Sequence, residues 1–231
     1  MIATSVANER KNMTTTKAYK GLPMEGVIAS WYAKTTFRDL NRHKLIAKEL
    51  APKIPANGSV LEIAPGPGYF CIELARLGNF QITGLDISKS FVEIARKNAA
   101  RAGMKIDFRE GNASAMPFKD NTFDFTFCQA AFKNFSEPVK AISEMYRVLK
   151  PGGAAVILDM RRDASAEDIE REVNGMGLGP INRFFVKWTF DQMLLKTAYS
   201  IDDMQSMIAQ TPFEKYELTV NGIGFQAWLE K

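Results

Sequence analysis

The chain has 231 residues, a formal net charge of +4, 46% hydrophobic and 24% charged residues. That length suits one α/β domain with additions and allows a sizeable core, and the composition is ordinary for a globular protein. The small positive excess is too weak to indicate nucleic acid, which favours a concentrated basic face, and no apolar run reaches the ~20 residues of a membrane span. The start of the chain lacks the apolar core of a secretion signal. The expected setting is therefore the cytoplasm, with neither nucleic acid nor membrane among the partners. Cys71 and Cys128 fit that setting as reduced core residues.

Residues 1–21 are polar and aperiodic, which predicts a mobile tail. Residues 22–56 read as a helical cap: Val27, Ile28, Trp31 and Tyr32 fit one stripe of a first helix, and Leu40, Lys44, Ala47 and Leu50 suggest a second. Residues 57–231 follow as the main domain. Its first stretch, 60–70, is an apolar strand (Val60, Leu61, Ile63) that ends in a turn at Pro65-Gly66 and opens a helix through Phe70, Leu74 and Leu77. Gly66 and Gly68 remove side chains where backbone passes close to something, and the helix N-terminus offers free N–H groups. Residues 80–88 read as a second strand ending in Asp86, followed by a helix that Ser88 or Ser90 caps and that carries Phe91, Ile94 and Ala95. A third strand at 105–110 leads into Gly111-Asn112-Ala113-Ser114-Ala115-Met116-Pro117-Phe118. The fourth strand, 121–128, alternates Phe with polar residues, which is unusual for a strand buried on both faces.

Ser136-Glu137-Pro138 opens a helix with Ile142, Met145 and Leu149 on its core face. Pro151-Gly152-Gly153 turns the chain into a fifth strand, 154–160, closed by Asp159. Residues 161–199 break the alternation as an insertion with helical patterns at 166–173 and 180–196. Its aromatics, Phe184, Phe185, Trp188 and Phe190, serve either core packing or, in the sharper reading, a lid over the substrate. Ser200 caps a last helix with Met204, Met207 and Ile208. Two strand-like runs, 216–220 and 223–229, joined by Asn221-Gly222, predict a hairpin.

Two ligand classes use a glycine turn like that at 64–68. A dinucleotide site wants G-x-G-x-x-G, and the third position here is Cys71, so that pattern fails. The other pattern is an acid followed by G-x-G-x-G, with Glu62 as the acid and Ala64, Gly66 and Gly68 in the small positions. It resembles the first motif of the class I S-adenosylmethionine-dependent methyltransferases, with Ala64 a mild departure of one methyl group from the usual glycine. Asp86 lies 20 residues beyond Gly66, the distance at which an acid reaches ribose hydroxyls in βαβ nucleotide sites. Residues 111–118 resemble the family's G-D-A-x-x-L-P-F, with Asn112 in place of the acid. The amide oxygen of Asn112 can still accept from an adenine amino group. Residues 144–153 match the family's turn before the fifth strand, and a terminal hairpin separates this sheet from a dinucleotide one.

The resemblance covers residue 57 onward, apart from the insertion. It implies a seven-stranded Rossmann-like α/β sheet, mostly parallel with a C-terminal antiparallel hairpin, helices on both faces, and S-adenosyl-L-methionine bound at the carboxyl ends of the strands. The cofactor residues it implies are Glu62, Ala64, Pro65, Gly66, Gly68, Asp86, Ile87, Asn112, Ala113 and Gln129, with no metal. It implies in-line methyl transfer, for which the protein mainly positions and desolvates.

Gln129-Ala130-Ala131-Phe132 stands where relatives acting on bases or amide nitrogens carry an Asn/Asp-Pro-Pro-aromatic tetrapeptide, so a small-molecule acceptor is expected instead. Asp159, Lys133 and Tyr32 are the candidate catalytic groups, while Trp31, Asn134, Phe185 and Trp188 are candidates for the substrate wall and lid. The bland alternative for Asp159 is pairing with Arg161 or Arg162. His43, the sole histidine, reads as a surface or packing residue. An RNA or protein methyltransferase would show a basic groove or a recognition domain. A non-catalytic cofactor-binding partner subunit would retain the same cofactor residues, because fold does not settle function.

Overall fold

The computed structural model describes residues 19–20, 24–36, 40–177, 179–190 and 194–231. Most of the segment read as a tail, 1–21, lies outside them. Two helices come first, α1 (Gly26–Thr36) and α2 (Leu40–Leu50). The alternating domain follows: β1 (Ser59–Ile63), α3 (Tyr69–Ala75), β2 (Gln81–Asp86), α4 (Lys89–Arg101), β3 (Asp107–Glu110) and β4 (Phe123–Gln129). Then come α5 (Pro138–Val148), β5 (Leu149–Met160), the insertion helices α6 (Ala166–Gly175) and α7 (Pro180–Thr189), α8 (Ile201–Ile208), β6 (Lys215–Asn221) and β7 (Gly224–Glu230).

The seven strands form one sheet in the order β3-β2-β1-β4-β5-β7-β6. Pairing is parallel from β3 to β5, and β7 runs antiparallel between β5 and β6. The strand order reverses between β1 and β4, and a crevice opens at such a point beyond the carboxyl ends of the strands. One face of the sheet buries Leu61, Ile63, Ile157 and Phe225 against Ile142 and Met145 of α5 and Met204 of α8. The other buries Val60, Ile82, Phe125 and Phe127 against Leu50 of α2, Phe70 and Leu74 of α3 and Val92 of α4.

The phenylalanines of β4 serve both faces. Phe123 belongs to the α5 side, packed edge-on to Phe118 with ring centres 5.0 Å apart, whereas Phe127 lies 4.1 Å from Phe70 on the other side. Residues two apart on a strand normally share a face. A register break against β5 between Phe123 and Phe125 changes the face, as a bulge does. The polar residues between them have separate fates: Thr126 and Cys128 are buried, and Asp124 accepts from Ser59 N and Lys150 Nζ, each at 2.8 Å.

Four local expectations shift. α1 buries Ala29 and Ala33 and leaves Val27 and Trp31 exposed, because it seats closely through small residues, with Tyr32 edge-on to Phe91 and the Tyr69 hydroxyl donating to Ala33 O. Glu137, not Ser136, is the N-cap of α5, and it caps without a side-chain bond, so the helix starts on the proline. The α-helical part of α7 ends at Thr189, with Phe190 as its C-cap, and Phe190 and Leu194 belong to wider π-type winding, so the 180–196 pattern changes pitch part-way. In the hairpin, Asn221 still pairs with Gly224, and the two-residue loop is Gly222-Ile223, with Gly222 at φ 54° in the first position. Ile223 is thereby delivered into a small core with Ile169, Val173 and Phe190 of the insertion.

Candidate functional site

The turn after β1 is built from left-handed backbone. Ala64, Gly66 and Gly68 have φ of 55°, 53° and 77°. For Ala64 the departure from glycine is therefore more than a spare methyl, since an L-residue in this region carries roughly 1–2 kcal/mol of strain. Ala130, beyond the neighbouring strand β4, has φ 54°. The two strained alanines stand at the ends of the strands that flank the crevice, and such strain collects at functional sites.

The two glycines have different tasks. A Cβ on Gly66 would meet nothing within 4 Å, so the missing side chain leaves open space above the turn. A Cβ on Gly68 would lie 2.8 Å from Phe108 Cζ and 3.0 Å from Ala95 Cβ, so this glycine is required for packing α3 under α4 and β3.

Three acids or amides line the turn. Glu62 is buried, accepts from the Cys71 thiol, and is pushed up to about 7 by burial. Asp86 accepts from Gly66 N and Ser88 N, each at 2.9 Å, and burial pushes it up to about 6. Ser88 caps α4, as the sequence suggests, and Asp86 ties the turns after β1 and β2 together. Asn112 Oδ1 accepts from Ser114 N at 2.9 Å in an Asx turn, and its second lone pair is left for a further donor. Ala113 packs on the α5-side core and Ile87 stays exposed at the end of β2.

The β4 side carries the unsatisfied and charged groups. Gln129 ends β4, and its Oε1 is buried with no hydrogen-bond partner. A buried amide oxygen left unpaired costs on the order of 1–3 kcal/mol, which a ligand donor would offset. Lys133 sits in a 3-10 turn, Phe132–Asn134. Both its N–H (2.9 Å) and its ammonium (3.3 Å) donate to Asp159 at the end of β5, and Asp159 also accepts from Met160 N at 2.8 Å. The Asp159 side chain is only 1% exposed. The alternative partners are occupied elsewhere: Arg161 pairs with Asp168 and Asp163, and Arg162 with Asp203. Tyr32 packs on Phe91 over the β2 side, so it and the Lys133–Asp159 pair stand on opposite flanks of the crevice. Trp31, Phe185 and Trp188 are exposed.

Sequence reasoning missed Tyr19 and Lys20. This dipeptide crosses the mouth of the crevice: Tyr19 bridges to Phe135, and Lys20 N donates to Asn134 O at 2.7 Å. The Tyr19 phenol is raised by burial and by the Asp86 charge, so it reaches the β2 side as well. Met24 O accepts from Ser88 Oγ at 2.6 Å, and Gly26 N donates to Ser90 Oγ at 2.9 Å. Asp86 is consequently 5% exposed. No pattern in residues 1–21 signals this contact. Among the described residues, no cluster of His, Cys, Asp and Glu is placed to hold a metal, and no helix is long and apolar enough to cross a membrane.

Open space over Gly66, an orphaned Gln129 oxygen and two carboxyls kept partly protonated by burial fit a cationic nucleoside ligand. The family model described as "Methyltransferase domain" matches residues 61–157. The chain is 38% identical over 107 residues to the demethylmenaquinone methyltransferase of Deinococcus radiodurans, covering 46% of this chain and 44% of that one. It is 34% identical over 116 residues to the ubiquinone/menaquinone biosynthesis C-methyltransferase UbiE of a Marinomonas species, covering 48% and 46%. The chain thus spans about half the length of the curated relatives it matches. In fold it is similar to a crystal structure described as a putative S-adenosyl-L-methionine-dependent methyltransferase from Methanococcus maripaludis, with a TM-score of 0.74 and 21% identity over 94% of this chain and 97% of that one. The seven-stranded sheet with its C-terminal hairpin is the expected one. Residues 61–157 thus carry a match to a methyltransferase domain, on a sheet with the strand order and C-terminal hairpin that the sequence resemblance implies.

Proposed function

We propose that this chain is an S-adenosylmethionine-dependent methyltransferase that methylates a small-molecule acceptor by in-line displacement, in a reducing, cytoplasmic setting. The observation that carries the reading is the crevice between β1 and β4, where a glycine turn with open space over Gly66 meets the buried carboxyls of Glu62 and Asp86. The bound cofactor supplies an activated methyl group on a sulfonium. Glu62, Asp86, Asn112 and Gln129 would hold it, with the backbone of 64–68 against it. A cation beside Glu62 and Asp86 favours their ionised forms and so relieves the desolvation that raises them. Asp86 keeps lone pairs for ribose hydroxyls beyond its two backbone bonds, and Gln129 Oε1 accepts the hydrogen bond it lacks.

The acceptor we assign to the class of quinol-like aromatic molecules. The names of the curated relatives support this, since they describe demethylmenaquinone and ubiquinone/menaquinone biosynthesis C-methyltransferases. An aromatic carbon becomes nucleophilic when its neighbouring hydroxyl releases its proton to solvent; the new C–C bond replaces the methyl–sulfonium bond, the ring carbon then sheds its hydrogen as a proton to solvent, and an ammonium beside the crevice stabilises the anion. Lys133 is that ammonium. Asp159, with three donors on its carboxylate, acts through Lys133 as a positioning residue.

Two measurements test the proposal. Calorimetry should show S-adenosylhomocysteine binding and no NAD binding. Methyl-labelled S-adenosylmethionine incubated with a demethylated naphthoquinol should transfer label to the ring. A folded chain that binds no S-adenosylhomocysteine would overturn the cofactor assignment. Binding without labelled product from any of a set of quinols would overturn the acceptor class.

A further inference from the structure

The insertion helix α7 has one face spoken for. Val186 and Phe190 pack with Ile169 and Val173 of α6 and with Ile223 of the hairpin loop. Its other face presents Phe184, Phe185 and Trp188 to solvent, 69%, 60% and 52% exposed. The Phe184 and Phe185 rings stand edge-on with centres 5.9 Å apart, so they form one raised aromatic knob. Arg183 and Lys187 flank the knob, and α7 carries no acidic residue; Lys187 makes a 3.8 Å contact with Glu170 of α6, an exposed pair of the kind worth under about 1 kcal/mol, which lipid phosphates can replace. At the same carboxyl edge of the sheet, across the crevice, α1 exposes Val27, Ile28 and Trp31, and its only charge is Lys34.

Six large apolar side chains on two helices exceed the scattered exposure normal for a soluble surface. Their charge context selects the occupant. A second copy packed on the knob by a two-fold contact would bring Arg183 against itself, with no acid on α7 to answer it. An anionic lipid surface instead pairs those cations with headgroups while the aromatics enter the headgroup–acyl boundary, the arrangement of an interfacial amphipathic helix. We propose that α7 docks this protein on an anionic membrane surface, with the apolar residues of α1 as the second contact. The expectation of no membrane partner weighed only spanning segments, and docking needs none. Because both helices flank the crevice, docking would present its mouth to molecules dissolved in the lipid. That last consequence rests on the proposed acceptor class, whereas the docking does not.

The test uses the full chain without cofactor or acceptor, so it is independent of methyl transfer. The protein is floated with vesicles of phosphatidylcholine alone and of phosphatidylcholine with phosphatidylglycerol. Docking predicts at least tenfold stronger partition to the anionic vesicles, weakened by salt. Replacing the knob (Phe184→Ser, Phe185→Ser, Trp188→Ser) should abolish partition. Arg183→Gln with Lys187→Gln should reduce it roughly tenfold or more, as cations near an anionic surface each contribute several-fold. The changed side chains are solvent-exposed, and circular dichroism checks that each variant is folded. Wild-type protein that stays with the buffer overturns the proposal. So does a knob variant that floats as well as wild type, or a concentration-dependent dimer that the knob variant abolishes while vesicle binding is unaffected.

Discussion

Replacing Gly68 by alanine separates packing from ligand binding in the glycine turn. Gly68 sits at φ 77°, where an alanine carries roughly 1–2 kcal/mol of strain. Its new methyl would also meet Phe108 Cζ at 2.8 Å and Ala95 Cβ at 3.0 Å, inside a buried layer. Overpacking of that kind costs about 1–3 kcal/mol. The sum is about 2–5 kcal/mol. For a domain of this size each kcal/mol lowers Tm by roughly 2–4 °C, so the melting point should fall by about 4–20 °C. Gly66→Ala shares the backbone strain, with φ 53°, but its methyl points into open space. It should lower Tm by only about 2–8 °C and weaken S-adenosylhomocysteine binding at least tenfold. Differential scanning fluorimetry and calorimetry on both variants read the two effects. Equal melting losses for the two variants, or a Gly66→Ala protein with unchanged affinity, would refute the division of labour.

Two further predictions concern the buried charges. Glu62 and Asp86 are raised to about 7 and about 6, so the folded protein holds protons there that the unfolded chain has released. Stability of the ligand-free protein should therefore be present at about pH 4 and fall as pH rises to about 7, by on the order of 3 kcal/mol for Glu62 alone. Thermal melts across that range should show the slope, and Glu62→Gln should flatten it; a slope unchanged in the variant removes Glu62 as its source. Asp159→Asn leaves the Lys133 ammonium, 11% exposed, without its partner carboxylate, which costs about 3–5 kcal/mol. Turnover should fall with it, while calorimetry finds cofactor affinity nearly unchanged at a temperature where the variant is folded. A variant with wild-type Tm and normal turnover would deny the pair any role.

The turn after β1 and the acid at the end of β2 are legible in the chain because backbone chemistry writes them there. Left-handed turns need small residues, so Gly66 and Gly68 stand out, and the strand-end acid Asp86 falls at a fixed spacing. The sheet order follows the same logic, down to the Gly222 hairpin. What the sequence hides is set by tertiary contact. The alternating stripe of α1 suggests that Trp31 packs inward, yet seating through Ala29 and Ala33 turns it to solvent. The Lys133 partner of Asp159 is 26 residues away, nearer in space than Arg161 two residues on, because β4 and β5 end side by side. The bridge from Tyr19 to Phe135 depends on a single backbone contact that no periodicity announces.

The position of β7 has a consequence for biosynthesis. It follows β6 in the chain yet lies between β5 and β6, so β6 has no place in the sheet until β7 is made. Through the synthesis of the insertion, α8 and β6, the β5 edge that carries Ala155, Val156 and Ile157 is an unpaired ladder of N–H and C=O groups. An apolar, unpaired edge is a template for pairing with other chains. Closing it also fixes Ile223 in the insertion core, so that core sets only when one of the longest-range pairings in the sheet is complete. A nascent chain paused before residue 224 would hold a formed glycine turn after β1 and an open, adhesive flank.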